Sequence, residues 1–176
     1  GGGVLARHNA VRDWACATYS ECTGLPANTE QHVPQWDLVG EDGEVEEARL
    51  DVATSDVGTG APLYLDVVIK CAFSNDAAVL HRRARRNGLA AGDGAAAKRR
   101  RYAEAGAALV PLAFEAGGRA SDEAASFVRL CGSVYTETHK DEDGEPAPSP
   151  TGRLWQELST QLQLSNAELV LSAIGR

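Results

Sequence analysis

The sequence predicts a single α/β domain in the order helix, three strands, helix, strand and two C-terminal helices. Three features predict it: apolar residues spaced by three and four near the start, two β-branched runs parted by a glycine-bearing segment, and Ala- and Arg-rich helical stretches ahead of one more apolar run. At 176 residues the chain has room for one sizeable core and one active site.

Val4, Leu5, His8, Val11, Trp14, Ala15 and Tyr19 recur at the period of a helix with one buried face. Gly24 and Pro26 make 23–28 turn-like, and 33–39 reads as a short strand entered through Pro34. The acids from Glu41 to Glu47 read as a solvated loop or strand extension. Residues 49–54 and 63–73 are rich in β-branched and aromatic side chains and read as a hairpin with a long loop at 55–62. Residues 76–86 and 95–105 read as helix, divided by Gly88, Gly92 and Gly94, and 107–115 as an apolar strand ended by Gly117 and Gly118. Ser121 fits an N-cap, with Asp122 and Glu123 favourably placed in the first turn of a helix reaching about Val134. The expected organisation is a core over 1–139, an acidic Pro-rich linker over 140–150 and a C-terminal helix over 151–176 presenting Leu154, Leu158, Leu162 and Leu169.

The chain opens on three glycines and contains no Met, so it is expected to be a piece of a longer reading frame. No apolar run approaches the roughly eighteen residues of a membrane span, and a soluble intracellular domain without a membrane partner is expected. Cys16, Cys22, Cys71 and Cys131 show no paired spacing, which points to buried free thiols rather than zinc ligands or disulfides. Phosphate-loop, nucleophile-elbow and His-Glu-x-x-His motifs are absent, and Cys131 lacks a convincing His partner for nucleophilic chemistry.

The net charge of −8 argues against a polyanionic partner until its distribution is read. Arg82, Arg83, Arg85, Arg86, Lys98, Arg99, Arg100 and Arg101 all lie between His81 and Tyr102, against the single acid Asp93. That basic stripe on an acidic domain is the footprint of a nucleic-acid interface.

Asp51 and Asp66 are each flanked by apolar residues inside a predicted strand, where Asp is disfavoured. A symmetric hairpin sets Asp51 opposite Asp66 and Ala53 opposite Tyr64, with Cβ atoms about 5 Å apart. Two carboxylates at that distance repel by about 3 kcal/mol at an effective dielectric of ~20, a cost that a divalent cation removes. Mg²⁺ takes one or two carboxylates and fills its octahedron with water and phosphate oxygens, which is the chemistry of phosphodiester hydrolysis. Acids facing solvent at strand edges are the plainer alternative. Lys98, on the next helix, is placed to orient water or stabilise developing charge, whereas Lys70 lies about 13 Å along the strand from Asp66. Glu30 is a candidate third acid at the metal. Glu115 is expected to pair with Arg119, and His8 reads as a core histidine rather than a ligand.

These residues resemble the PD-(D/E)xK restriction-endonuclease-like superfamily, and within it the restriction-like endonuclease of site-specific non-LTR retrotransposons. The resemblance covers about residues 7–119 and rests on Arg7-His8-Asn9, Asp51, Asp66-Val67 and Lys98-Arg99-Arg100-Arg101-Tyr102 in that order. Leu50 stands where the superfamily often has Pro, and Val68 where its Lys usually sits; in the retrotransposon branch that Lys is taken to have moved to the helix, the place of Lys98. The resemblance implies a restriction-endonuclease-like core and a nuclear Mg²⁺- or Mn²⁺-dependent endonuclease that follows a reverse transcriptase in one polyprotein. Such a domain nicks double-stranded DNA to prime reverse transcription of the element RNA. Asp51, Asp66, the Val67 carbonyl and Glu30 would hold metal, Lys98 would assist catalysis, and Arg82, Arg83, Arg85, Arg86, Arg99, Arg100, Arg101 and Tyr102 would bind DNA. The alternatives are a non-catalytic nucleic-acid-binding or assembly domain and a nuclease for branched DNA or RNA.

Overall fold

The computed structural model describes residues 2–174. Helix α1 (Gly2–Thr23) leads into β1 (Asn28–His32), a 3₁₀ turn at Pro34–Trp36, and the short strands β2 (Leu38–Val39) and β3 (Val45–Glu46). Strands β4 (Arg49–Ser55) and β5 (Pro62–Lys70) form the central hairpin. Helices α2 (Ala77–Arg85) and α3 (Leu89–Arg101) then carry the chain to β6 (Leu109–Glu115), followed by α4 (Asp122–Thr138) and α5 (Thr151–Ile174). The main sheet is mixed, in the order β1-β4-β5-β6, with β6 parallel to β5 and the other neighbours antiparallel.

Alternation along the strands sorts the layers. Val52, Leu65, Val67, Leu112 and Phe114 face one side and pack with Val11, Ala15 and Tyr19 of α1, Phe127 and Val128 of α4, and Leu154, Leu158 and Leu162 of α5. Val68 and Ala113 face the other side, against Ala91 and Ala95 of α3. Tyr19 stacks on Phe127 and donates its hydroxyl to the Ser55 carbonyl, tying α1 to the end of β4. Ser121 caps α4 as its sequence predicts, accepting from the Ala124 N–H.

Four expectations need correction. The first strand of the main sheet is the polar segment Asn28–His32, not 33–39: an edge strand needs no apolar alternation, whereas Pro34 lacks a ladder donor and opens a 3₁₀ turn instead. Leu38 and Val39 pair with β3 in a separate two-stranded ribbon. Helix α3 begins after Gly88, in left-handed conformation at φ 73°, and runs through Gly92 and Gly94 unbroken. Gly94 is a close-packing residue, since a Cβ there would meet Val68 and Lys70 of β5 at 3.1–3.2 Å. Finally, 140–150 is a folded turn, with Lys140 bridged to Pro146 and Ala147 N–H donating to the His139 carbonyl, and it delivers α5 into the common core.

Cys22 and Cys131 are buried, Cys16 is partly so, and Cys71 is exposed; all four are free thiols. Among the described residues no helix is long and apolar enough to cross a membrane.

Candidate active site

The β4–β5 ladder pairs Val52 with Leu65 and Ala53 with Tyr64, the register expected of a symmetric hairpin. One step further along that register come Asp51 and Asp66, and there side chains take over from main chain. Asp51 Oδ2 accepts the Val67 N–H at 2.6 Å. Its other oxygen, Oδ1, lies 2.8 Å from His8 Nε2, so α1 and β5 fix the carboxylate from both sides. His8 is half-buried. Rather than a self-contained core histidine, it is a partner of the site that its apolar spacing concealed; the Arg7-His8-Asn9 run was the available signal.

Asp66 is 1 % exposed. Lys98 Nζ, from α3 across the sheet, lies 2.8 Å from its Oδ2 but off the direction of a hydrogen bond, so this buried oxygen is charge-paired and still lacks a donor. His8 thus reaches the site from the helical layer that packs on Val67, and Lys98 from the layer that packs on Val68.

Burial pushes the Asp66 carboxyl up, Lys98 opposes that, and the hydrogen bond and charge of Asp51 push it up again, to about 7. Asp51 moves the other way. Burial would raise it, but the hydrogen bonds from His8, Asp66 and Val67 bring it below the usual carboxylate value. The two carboxyls are thus pushed in opposite directions, Asp66 up and Asp51 down. For Lys98, burial favours the neutral amine but the Asp66 charge outweighs it, so the ammonium is held more firmly than usual.

Glu30 does not join this group. The pairs Thr29–Val52 and Gln31–Leu50 set it beside Asp51, yet its backbone is left-handed at φ 59° and its exposed side chain pairs with Arg12. The expected third metal acid is thus turned away, and among the described residues no three His, Cys, Asp or Glu side chains are arranged to hold a metal. The two aspartates still fit one. They offer hard oxygen donors on adjacent strands, one of them buried without a hydrogen-bond donor, and Mg²⁺ needs no more than two carboxylates from the protein.

The basic stripe divides. Arg99 is committed to Glu123 and the Gly106 carbonyl, and Arg101 to Glu46 and the Trp36 carbonyl. Tyr102, expected at DNA, is only 8 % exposed and packs with Val33, Leu50 and Leu109, because it ends α3 over the second core cluster. These three hold α3 in place. Arg82 and Arg83 share Asp93 at 3.4 Å, and Arg83 also reaches the Cys71 carbonyl. Arg85, Arg86 and Arg100 are exposed, with no polar partner among the described residues. Lys70 lies over Gly94, outside the site. Glu115 does not pair with Arg119 by its side chain; buried, it accepts the Ala90 N–H and caps α3 from the neighbouring strand. No protein-family model matches the chain, and no curated protein matches it either.

Proposed function

We propose that this chain is a divalent-metal-dependent endonuclease domain with a restriction-endonuclease-like core, which nicks double-stranded DNA beside a reverse transcriptase in a nuclear mobile-element polyprotein. The observation that carries the reading is the convergence of Asp51 and Asp66, on adjacent strands, with Lys98 against the buried Asp66 oxygen. Asp51, Asp66 and the Val67 carbonyl are the protein donors. They would hold a Mg²⁺ or Mn²⁺ ion, whose chemistry when bound would be Lewis acidity toward a phosphate oxygen and a water.

The rest is the work of the chain's own groups. His8 and the Val67 N–H hold Asp51 ionised and oriented, so the donor set is formed before substrate arrives. Lys98, kept charged by Asp66, directs its N–H donors toward the water or toward the phosphate oxygens on which negative charge builds. The exposed arginines Arg86 and Arg100 neutralise backbone phosphates, and Arg82 and Arg85 of α2 add further exposed positive charge on a domain that is otherwise acidic.

Plasmid nicking tests this. Asp66→Asn keeps the shape of the side chain and removes its charge, so Mg²⁺-dependent nicking is expected to disappear while DNA affinity and fold persist. Nicking that survives the substitution, or a wild-type melting temperature indifferent to Mg²⁺ and Mn²⁺, sinks the nuclease reading and leaves a non-catalytic nucleic-acid-binding domain.

A further inference from the structure

Helix α2 is a structural oddity. None of its nine residues is buried, and only Val79 and Arg83 are even partly covered. Isolated helices shorter than about 12–15 residues are marginal in water, and most protein helices persist because one face is packed. Here the body of the protein contributes little: Asp76 caps the N-terminus through Ala78 and Val79, Arg83 tethers one side to the Cys71 carbonyl and Asp93, and Arg82, though exposed, lies 3.4 Å from the same Asp93 carboxylate.

The unpacked side has a definite chemistry. Ala78, His81, Arg82 and Arg85 stand at i, i+3, i+4 and i+7, one continuous helical stripe, and all four are exposed. Ala77 and Ala84 flank it and are exposed too, so nothing bulky keeps the helix backbone away from a partner. There is no acid within the helix. A stripe of small and basic side chains with forked donors matches the major groove of duplex DNA. That groove, about 12 Å wide, admits an α-helix and offers guanine O6 and N7 to arginine. A membrane surface fits less well, since Leu80 is the one large apolar residue that α2 exposes.

We infer that α2 is a DNA-reading helix, which lies in the major groove with Arg82 and Arg85 toward base edges and so sets where the DNA is cut. The inference rests on the nuclease reading for its cutting role, though not for its binding role. It separates Arg99 and Arg101 of α3, which brace the fold, from Arg82 and Arg85 of α2, which meet the substrate.

Selection from a random-sequence duplex pool by the full chain carrying Asp66→Asn tests it. That chain is expected to enrich a short motif. Adding Arg82→Ala and Arg85→Ala should erase the motif and lower duplex affinity about tenfold or more, as expected for lost bidentate base contacts. Arg82→Lys with Arg85→Lys keeps charge without the planar fork, and should retain salt-dependent binding while losing the motif. No enriched motif, a motif that survives the double alanine change, or a preference for phosphatidylserine vesicles or single-stranded RNA over duplex overturns the inference. The two readings fail separately. Motif enrichment in a wild-type chain that never nicks with Mg²⁺ leaves α2 as a reader and removes the nuclease, and nicking without enrichment does the reverse.

Discussion

Asp66 is buried, and burial and the neighbouring Asp51 push its carboxyl toward the protonated form against the pull of the Lys98 ammonium. Its value in the folded chain, about 7, lies above that of an unfolded aspartate, so the stability it contributes is complete below about pH 4 and lost as pH rises through 7. Metal-free protein is therefore expected to melt at falling temperatures between those limits. Asp66→Asn should flatten this slope, and added Mn²⁺ should shrink it; a wild-type melting temperature level from pH 4 to 7 contradicts the burial argument. Asp51, held below its usual value, has the opposite sign and acts in a separate window: its contribution is lost only as pH falls below the normal carboxylate range. His8 makes a second residue-scale prediction, because it touches Asp51, the metal donor of the proposed nuclease. His8→Ala should raise the Mn²⁺ concentration needed for half-maximal nicking by roughly tenfold or more. His8→Gln, whose amide nitrogen falls near the place of Nε2, should recover most of that; equal defects in both variants would reduce His8 to a packing residue.

At the scale of elements, α5 and the turn before it are joined to α4 through a glycine. A Cβ on Gly132 would overlap Thr151 Oγ1 and come within 2.9 Å of Ser149 Oγ, so Gly132→Ala should cost about 1–3 kcal/mol and lower the melting temperature, with nicking at low temperature intact. A melting temperature unchanged by that substitution would mean that 140–150 is loosely attached after all. This docking is what composition hid. The acids and prolines of 140–150 imply a linker on average, whereas the pairing of Lys140 with Pro146 is decided by three-dimensional neighbours. The same limit explains β1: Asn28–His32 has no apolar alternation to read, because an edge strand exposed on both sides leaves none. The β4–β5 hairpin was legible down to its register, since Val52, Leu65 and Val67 must all face one core. Asp51 and Asp66 were legible for the related reason that charge inside an apolar strand breaks local preference, whereas Lys98 sits where a helix favours it and stood out only by its place after the Asp66 strand. His8, spaced like a core residue, and Tyr102, set in a basic run yet buried, were misread because spacing and neighbours in sequence do not tell which way a side chain points.

Across the whole molecule, one core joins the sheet to three helices, and the fully buried Leu154, Leu158 and Leu162 make α5 part of it. Burial of a leucine is worth about 1.5–3 kcal/mol, so these three alone match a large part of the 5–15 kcal/mol by which a typical domain is stable. Two consecutive helices of the chain are held very differently. Helix α3 is clamped at its start by the Glu115 carboxylate on Ala90 N–H and at its end by Arg99, Arg101 and Tyr102. Helix α2, ahead of it in the chain, buries nothing. Hydrogen exchange should sort them into separate kinetic classes, with α3 amides opening near the global unfolding free energy and α2 amides exchanging orders of magnitude sooner. Equal protection would contradict the contrast in packing. The clamp has a further consequence for evolvability: with Lys98 anchored independently of α2, the sequence of α2 is free to drift without disturbing the geometry at Asp66.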